Sequence, residues 1–270
     1  MIEIKSLQNP RIKHLIKLKE KRQRKATKQY TIEGYREVIR ANIGNIEILS
    51  LYICPSFFLG KNEKDLLEKF ESQNIEIIKC SENVFKKISY RDRPDGLVAL
   101  AKQKVLDIHD LELFLNEHKN PFLLIVESVE KPGNLGTILR SCDGAGVDGI
   151  IICDEVTDIF NPNVVRASIG TLFTQKIFIS TSSKIIELLQ NKNVSIITTS
   201  PQAKKNYFSA NYKESIAIAV GSEQYGLSEK WLELKSEKIK IPMHGVADSL
   251  NVATATTIVL YEANRQRFLK

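Results

Sequence analysis

Short, largely apolar runs recur through the second half of the chain, and they constrain its fold more than any other feature. Residues 121–127, 149–154 and 215–221 are such runs, and segments with helical periodicity separate them. A strand that is apolar on both faces needs cover on both faces, and helical crossovers make successive strands parallel. The second half therefore predicts an α/β domain, with a mainly parallel sheet and helices on both of its faces.

The remaining elements of this half continue the alternation. We expect further strands at residues 176–180, 194–198 and 238–243. The expected helices cover residues 134–145, 164–173, 184–191, 229–235 and 249–268. Strands and helices thus alternate to the end of the chain.

The first hundred residues show a shorter alternation, which indicates a second and smaller domain. The expected strands are at residues 30–33, 47–54, 75–79 and 97–101, and the expected helices at 35–41, 64–70 and 83–88. A chain of 270 residues is also near the length at which a single core divides into two. We therefore expect an N-terminal α/β domain at residues 1–102, a polar linker at 103–119 with one helical stretch around residues 111–115, and the larger domain at 120–270.

The composition excludes several classes of protein. Hydrophobic residues make up 43% and charged residues 26% of the chain, which is typical of a folded protein and not of a disordered one. No apolar run approaches the ~20 residues of a membrane span, and the N-terminus lacks the apolar stretch of a signal peptide. The scattered cysteines argue against a zinc site or a disulfide framework. They are Cys54, Cys80, Cys142 and Cys153. We expect a cytoplasmic protein with no membrane segment and no metal.

The net charge of +7 is concentrated at the N-terminus. Residues 1–30 hold ten Lys or Arg and two Glu, so the rest of the chain is almost neutral. Asn9 followed by Pro10 is a favourable helix start. A basic helix in this segment could contact the phosphates of a nucleic acid or simply face solvent, and the local excess of charge favours the contact. The candidate RNA-binding residues are Arg11, Lys13, Lys17, Lys21, Arg22, Arg24 and Lys25.

Two glycine patterns match nucleotide-binding motifs but stand in the wrong context. Residues 144–149 match G-x-G-x-x-G, yet they close a predicted helix, whereas a dinucleotide-binding motif opens one. Residues 221–226 have the glycine spacing of a P-loop, but Leu227 and Ser228 stand where Lys and Ser or Thr are needed. Dinucleotide binding and hydrolysis of ATP or GTP are therefore disfavoured.

Three other stretches combine small residues with polar groups at strand ends, where open α/β sheets bind their ligands. The first is N-L-G-T-I-L-R at residues 134–140, and the second is G-S-E-Q-Y-G-L at residues 221–227. The third joins I-P-M at residues 241–243 to S-L-N-V-A at residues 249–253. In this order the three stretches resemble the motifs of the SpoU (TrmH-like) RNA ribose methyltransferases, which belong to the SPOUT superfamily.

The resemblance implies a fold, a cofactor and a reaction. It covers residues 120–270 by motif and residues 1–102 by layout alone. It implies a deep trefoil knot in the larger domain, a homodimer formed through the knot region, and a smaller domain similar to RNA-binding ribosomal proteins. It also implies transfer of the methyl group of S-adenosylmethionine to a ribose 2′-oxygen in structured RNA. Ribosomal RNA is the favoured substrate because of the extra N-terminal domain.

The resemblance also implies roles for individual residues. Arg140 is implied as the catalytic arginine. The other residues implied at the reaction centre are Asn134, Glu223, Ser249 and Asn251. The residues implied around the cofactor are Thr199, Gly221, Glu223, Ile241, Met243, Ser249, Leu250 and Ala253.

Two roles for Arg140 stay open. As a general base, its pKa would have to fall by about 5 from a reference value near 13, which corresponds to roughly 7 kcal/mol. As a charged group, it could grip the adjacent phosphate and hold the 2′-oxygen in line with the methyl carbon. Positioning of this kind can supply several kcal/mol. The first role is the more demanding one.

Other functions also stay open. One is a tRNA 2′-O-methyltransferase, and another is a non-catalytic RNA-binding ribosome assembly factor on the same fold. The presence of Asn134, Arg140 and Glu223 argues against the non-catalytic reading. A Rossmann-type methyltransferase is disfavoured because its glycine loop after the first strand is missing.

Overall fold

Two sheets of different size organise the chain. The computed structural model describes residues 2–268, so residues 1, 269 and 270 of the expected domains lie outside the described part. Contacts between residues divide the chain into two units. The first unit contains the residues up to Lys104 and also Asp158–Thr174. The second contains Val105–Thr157 and the residues from Gln175 onward.

The first unit is built on a five-stranded sheet. Its strands are β1 (Ile2–Ile4), β2 (Gln29–Glu33), β3 (Ile48–Ile53), β4 (Glu76–Cys80) and β5 (Leu97–Lys102). Its helices over the same stretch are α1 (Pro10–Lys17), α2 (Lys21–Thr27), α3 (Tyr35–Ile43), α4 (Glu63–Ser72) and α5 (Glu82–Ile88). The strand order is β1-β4-β3-β5-β2, in which β5 runs antiparallel to both of its neighbours and the other pairs are parallel. The seven strands and helices predicted over residues 30–101 each lie within two residues of an observed element.

The basic segment differs from the single helix that was expected. It contains β1, α1 and α2 instead. Helix α1 begins as predicted, because the Asn9 side chain accepts a hydrogen bond from the Arg11 N–H at 2.9 Å and Pro10 is the first helical residue. It ends at Lys17, and α2 ends at Thr27, followed by Lys28 in a left-handed conformation with φ of 55°. These two breaks separate the cations into two short helices.

Arg24 is buried in the first unit, which contradicts the expectation that it contacts RNA. Only 1% of its surface is exposed. Its Nε donates to Asp158 Oδ2, and its Nη1 donates to the carbonyl oxygens of Leu18 and Lys19, all at 2.8 Å. Helix α2 turns this one cation inward, where a buried carboxylate compensates its charge. Arg24 therefore holds α2 to the Asp158–Thr174 segment of the same unit and is not available to a phosphate.

The second unit is built on a seven-stranded parallel sheet. Its strands are β6 (Phe122–Glu127), β7 (Gly149–Cys153), β8 (Ile177–Ser180), β9 (Ser195–Thr199), β10 (Lys205–Asn206), β11 (Ile216–Val220) and β12 (Glu237–Lys240). The helices that follow residue 105 are α6 (Ile108–Glu117), α7 (Pro132–Ala145), α8 (Pro162–Ala167), α9 (Ser182–Asn191), α10 (Glu229–Leu232) and α11 (Val252–Phe268), of which α8 belongs to the first unit. The order is β10-β12-β9-β11-β6-β7-β8, and the described pairings are parallel. The predicted parallel α/β fold is confirmed.

The core of the second unit explains the apolar runs. Every residue of β6, β7 and β11 is buried. The stretch 103–119, which was expected to be a linker, contains α6, and its Leu111 and Phe114 are buried in the same core cluster as Trp231. The polar residues of α6 lie on the outer face of an amphipathic helix. Because they make the stretch polar on average, its sequence predicts a linker.

Several predicted boundaries differ from the structure, three of them near the motifs or the unit division. The helix expected at residues 164–173 ends at Ala167, because Ile169 and Gly170 have φ of 50° and 82°, outside the helical region. The strand expected to continue to Met243 ends at Lys240, and an irregular segment follows. The last helix begins at Val252 and not at Ser249. The residues of the third motif before Val252 are therefore loop residues.

Candidate active site

A cavity of about 480 Å³ lies in the second unit, beside the carboxyl ends of β9, β11 and β12. This is the edge at which open parallel sheets bind ligands, and the volume is within the range of small-molecule sites. The residues that line it include seven of the eight implied around the cofactor. They are Thr199, Gly221, Glu223, Ile241, Met243, Ser249 and Leu250. The eighth, Ala253, lies buried in the first turn of α11 and does not line the cavity.

The second motif forms a closed loop in the cavity wall. The backbone N–H of Ser222 donates to the Gly226 carbonyl oxygen at 3.0 Å, and the Gly226 N–H donates back at 3.1 Å. A Cβ on Gly221 would lie 2.0 Å from the Gly226 carbonyl carbon and 2.2 Å from the Leu227 nitrogen. Gly226 itself has φ of 70°, which favours glycine. Both glycines are therefore required by the backbone of this loop.

The polar residues of the three motifs meet in one hydrogen-bonded chain. The Asn251 Nδ2 donates to Asn134 Oδ1 at 3.1 Å, and the Asn134 Nδ2 donates to Glu223 Oε1 at 2.7 Å. The backbone N–H groups of Glu130 and Lys131 donate to the two Glu223 carboxylate oxygens at 3.0 and 3.1 Å. Residues from distant parts of the sequence thus form a single rigid group beside the cavity.

Glu223 is the charged member of this chain. Partial burial opposes ionisation of its carboxyl group. The hydrogen bonds from Glu130, Asn134 and Lys131 outweigh this effect and hold the pKa of Glu223 below its ordinary value. The carboxylate is therefore ionised at neutral pH and serves as an acceptor that fixes the Asn134 side chain.

The third motif provides an irregular wall segment and a helix start. Ile241, Met243 and Leu250 are half-buried in the segment between β12 and α11, and Ser249 is exposed at the cavity. Asn251 caps α11, because its Oδ1 accepts hydrogen bonds from the backbone N–H groups of Ala253 at 3.0 Å and Thr254 at 3.4 Å. The same side chain therefore starts the helix with its oxygen and holds Asn134 with its nitrogen.

Arg140 does not line the cavity. It is exposed on α7, six residues after Asn134, which corresponds to ~9 Å along the helix axis. Within residues 2–268, no hydrogen bond or ion pair of its guanidinium is found. The structure thus brings Asn134, Glu223 and Asn251 together and leaves Arg140 on the solvent side of the same helix.

Several cavity residues were not predicted from the sequence. Ser200, Pro201 and Gln202 follow β9, and Lys131 precedes the first motif. Their position directly after a strand was the available signal, since the carboxyl ends of parallel strands share one edge.

Glu127 was also missed. It is 4% exposed at the end of β6 and accepts hydrogen bonds from the Ser182 hydroxyl at 2.9 Å and from both the N–H and the hydroxyl of Ser228 at 2.7 Å. The Trp231 Nε1 donates to Ser182 at 3.1 Å. This buried carboxylate fixes the residue that follows the second motif. The sequence feature that could have indicated Glu127 is an acidic residue at the end of an apolar run.

The predicted RNA-binding residues lie on α1 and α2 of the first unit. Lys13, Lys17, Arg22 and Lys25 are exposed. Arg11 is exposed but pairs with Glu76 at 2.8 Å, and Lys21 is half-buried and has a partner. Arg24, as described above, is buried. Four of the seven predicted residues, Lys13, Lys17, Arg22 and Lys25, are therefore exposed and available to contact a phosphate.

The described part of the chain lacks two kinds of feature. Among residues 2–268, no group of three or more His, Cys, Asp and Glu side chains is arranged to hold a metal ion. In the same part, no helix has the length and apolar character needed to cross a membrane.

Comparison with known families gives two matches. The profile of the SpoU rRNA Methylase family matches residues 121–261. The profile of the MRM3-like substrate binding domain matches residues 9–99. Together they account for most of the chain.

Individual relatives and solved structures agree with these matches. The chain is 32% identical over 77% of its length to the 23S rRNA (guanosine-2′-O-)-methyltransferase RlmB of Pectobacterium atrosepticum, covering 87% of that protein. It is 29% identical over 97% of its length to the 23S rRNA (guanosine(2553)-2′-O)-methyltransferase RlmP of Bacillus subtilis, covering 98% of that protein. The crystal structure of an AdoMet-bound rRNA methyltransferase from Sinorhizobium meliloti superposes with a TM-score of 0.87 at 30% identity, over 99% of this chain and 98% of that one.

Proposed function

The chain belongs to the SpoU rRNA methylase family, and from this premise we propose which of its residues carry out the reaction and on which RNA. The protein is an S-adenosylmethionine-dependent RNA 2′-O-ribose methyltransferase. Its substrate is ribosomal RNA, because relatives that match most of its length are 23S rRNA methyltransferases. The hydrogen-bonded chain of Glu223, Asn134 and Asn251 carries the assignment of the site, since it joins all three motifs at one cavity.

The cavity fits S-adenosylmethionine in size and in chemistry. Half-buried apolar residues, Ile241, Met243 and Leu250, form one part of its lining, and polar groups such as Thr199 and Ser249 form another. A nucleoside joined to an amino acid needs both kinds of surface. When bound, the cofactor supplies an activated methyl group on a sulfonium. The residues that hold it are those of the cavity, and Gly221 keeps the second-motif loop closed against them.

Asn134, fixed by Glu223 and Asn251, orients the ribose at the reaction centre. Its amide is held at both ends, at 2.7 and 3.1 Å, so it cannot rotate away. Arg140 grips a phosphate of the RNA beside the target ribose. This role is supported by its exposure on α7, since a planar guanidinium with free donors binds a phosphate in two-point contact.

The two domains divide the work. Residues 1–102 recognise the RNA, with Lys13, Lys17, Arg22 and Lys25 on its phosphates, and residues 120–270 hold the cofactor and perform the transfer. The match of residues 9–99 to a substrate binding domain supports the first assignment. The four exposed cations support the phosphate contact, because each neutralised phosphate adds to affinity.

The larger domain contains a deep trefoil knot and forms a homodimer through it, and the protein acts in the cytoplasm, where ribosomal RNA is found. The non-sequential strand order β12-β9-β11-β6 supports a chain that returns between earlier strands. Two exposed apolar residues, Tyr225 at 79% in the cavity lining and Val246 at 105% in the segment between β12 and α11, support a covered surface in this domain. The family resemblance is the main support for the knot.

Arg140→Ala tests the assignment. Methyl transfer from S-adenosylmethionine to ribosomal RNA of a strain that lacks this protein should be lost, while cofactor affinity, measured by isothermal titration, stays within a few-fold. Mapping of ribose methylation in that strain identifies the missing modification. Near-normal turnover by Arg140→Ala refutes the role of the arginine. A protein that fails to bind S-adenosylmethionine is a non-catalytic assembly factor, and a modification lost from tRNA redirects the substrate.

A further inference from the structure

The loop between β6 and α7 holds Glu223, and a side chain of the loop after β7 holds that loop in turn. The N–H groups of Glu130 and Lys131 donate to the Glu223 carboxylate at 3.0 and 3.1 Å. The Thr157 hydroxyl donates to the Glu130 carbonyl oxygen at 2.6 Å. We propose that Thr157 is a positioning residue for methyl transfer, acting through the peptide group between Glu130 and Lys131. The proposal rests on the proposed function, because it needs Asn134 at the reaction centre.

The peptide group that joins Glu130 to Lys131 carries the effect. Its carbonyl oxygen accepts the hydrogen bond from Thr157, and its N–H donates to Glu223 Oε1. The group is trans, so its C=O and N–H lie in one plane and point in opposite directions. A hydrogen bond that fixes the carbonyl therefore also fixes the direction of the N–H. Because hydrogen bonds in series polarise one another, the hydroxyl also strengthens the Lys131 donor.

The effect reaches Asn134 through one carboxylate oxygen. Glu223 Oε1 accepts the Lys131 N–H at 3.1 Å and the Asn134 Nδ2 at 2.7 Å. Both donors bind the same atom, so a change in the direction of the N–H moves the acceptor that fixes the Asn134 amide. A displacement of about 1 Å at a positioning group can lower a rate by about a hundredfold. The orientation of this peptide group therefore matters to the reaction.

A second hydrogen bond joins the same two loops in the opposite direction. The Ser128 hydroxyl, in the loop after β6, donates to the Asp154 carbonyl oxygen, in the loop after β7, at 3.1 Å. Each loop thus gives a hydroxyl to a carbonyl of the other. Ser128 and Asp154 have φ of 51° and 50°, a left-handed conformation that residues other than glycine rarely adopt. Backbone of this kind persists where its surroundings determine it closely, so the two loops are held in one arrangement.

Thr157 is placed to act through the loop and not on the cofactor. Its side chain belongs to the second unit, is 7% exposed and does not line the cofactor cavity. A buried hydroxyl needs a hydrogen-bond partner, and the Glu130 carbonyl supplies one. A valine has the same branched shape without the hydroxyl. The chemical difference between these two side chains is therefore the hydrogen bond itself.

The first test compares Thr157→Val with Thr157→Ser in steady-state methyl transfer to ribosomal RNA that lacks the modification. Thr157→Val should lower kcat by about tenfold, the effect of one neutral hydrogen bond, and leave the KM values for cofactor and RNA within about twofold. Thr157→Ser keeps a hydroxyl and should restore kcat to within about threefold of the wild type. An unchanged kcat in Thr157→Val, or a loss that serine does not restore, overturns the proposal.

The second test measures hydrogen exchange of the Lys131 amide by NMR in the full-length protein. Thr157→Val should speed this exchange by about tenfold and leave the amides of β6 unchanged, since the strand does not depend on the hydroxyl. Equal protection of the Lys131 amide in the wild type and the variant overturns the proposal. Thr157→Ala repeats the removal of the hydroxyl, so the result does not depend on how well valine fits.

Thr171→Val is the matched control. Thr171 is 3% exposed, and its hydroxyl donates to the Ser168 carbonyl oxygen at 2.9 Å in the first unit. The substitution makes the same chemical change at a similarly buried threonine. It should lower the stability in urea as much as Thr157→Val does and leave kcat within about twofold of the wild type. Equal losses of kcat in the two variants would mean a general loosening of the protein and would overturn the role of Thr157.

The exchange measurement also separates this proposal from the proposed function, because it needs no activity. A wild-type protein that transfers no methyl group refutes the proposed function and the positioning role with it, even where Thr157→Val speeds exchange at Lys131. An active wild type with an equally active Thr157→Val refutes the role of Thr157 alone.

Discussion

Replacement of Glu223 by Gln tests the hydrogen-bonded chain at the candidate active site. The Gln oxygen can keep the bonds from the Lys131 N–H and the Asn134 amide, but its NH2 group would face the Glu130 N–H, which now donates to Glu223 Oε2 at 3.0 Å. One bond to a carboxylate is lost, and two become bonds to a neutral acceptor.

The magnitude follows from these three bonds. A hydrogen bond to a charged group contributes about 1.5–3 kcal/mol and a neutral one about 0.5–1.5 kcal/mol. The loss of one charged bond and the weakening of two by about 1–1.5 kcal/mol each give an upper value of about 6 kcal/mol. Because Glu223 is only half-buried, solvent screening reduces this to about 2 kcal/mol. If these hydrogen bonds are needed in the transition state, a loss of about 2 kcal/mol lowers kcat/KM by about 30-fold.

The assay is steady-state methyl transfer to ribosomal RNA that lacks the modification, together with the free energy of unfolding in urea. We expect kcat/KM to fall by about 30-fold and the unfolding free energy by at most about 2 kcal/mol. Glu130→Gln is the matched control, since Glu130 is an exposed neighbouring carboxylate whose backbone alone takes part in the network. A Glu223→Gln enzyme within threefold of the wild type would refute the role of the carboxylate.

The hydrogen bonds to the Glu223 carboxylate should weaken in acid. The pKa of Glu223 is held below its ordinary value of about 4.5, so the carboxylate contributes stability above that value and loses it as the pH falls through the lower folded one. A cofactor-binding titration from neutral pH downward should therefore stay flat until the pH is below 4.5 in the wild type. A loss of cofactor binding that begins above pH 4.5 in the wild type, and is absent in Glu223→Gln, would contradict a lowered pKa of Glu223.

Three more predictions follow from the contacts described above. Gly221→Ala places a Cβ 2.0 Å from the Gly226 carbonyl carbon and should lower S-adenosylmethionine affinity by more than about tenfold. Gly245→Ala is the control, because a Cβ there meets open space and should not change the affinity. Equal affinities of the two variants by isothermal titration would disprove the prediction. Arg24→Met leaves the Asp158 carboxylate buried without its partner and should lower the free energy of unfolding in urea by about 3–5 kcal/mol. Adding Asp158→Asn should restore part of this loss. A loss below about 1 kcal/mol in Arg24→Met would contradict the role of the ion pair. Neutralising the four available cations by Gln should reduce the slope of log RNA affinity against log salt by about 3 and leave cofactor affinity unchanged; an unchanged slope would mean that this surface only faces solvent. The four are Lys13, Lys17, Arg22 and Lys25.

Point variants are preferable to removal of residues 1–30. Such a truncation also removes Arg24, which compensates the buried Asp158 charge, and Tyr30, whose ring centre lies 4.6 Å from that of Phe160. A loss of RNA binding in the truncated protein would therefore mix lost phosphate contacts with lost packing.

Local patterns predicted the elements well, because they depend on neighbours in sequence. The Asn9-Pro10 helix start and the apolar strands β6 and β11 are examples. The inward turn of Arg24 could not be predicted, since it depends on Asp158, which lies 134 residues further along the chain.

The candidate site shows the same division. The motif residues could be assigned by resemblance, but their meeting through Asn134 depends on contacts across 89 and 117 residues. Glu127 and the residues after β9 carry no motif, and only the parallel register of the strands brings them to the same edge.

The segment Asp158–Thr174 gives the chain an interleaved connectivity. It belongs to the first unit, although it lies between β7 and β8 of the second. The polypeptide therefore passes from one unit to the other at three places, after Lys104, after Thr157 and after Thr174. A protease cut after Lys104 alone would leave two fragments that stay associated without a covalent bond, because Asp158–Thr174 of the C-terminal fragment belongs to the first unit. For the same reason, a chimera that exchanges RNA specificity with a relative must carry both pieces of the first unit, since a single crossover point would pair a foreign Arg24 with the native Asp158.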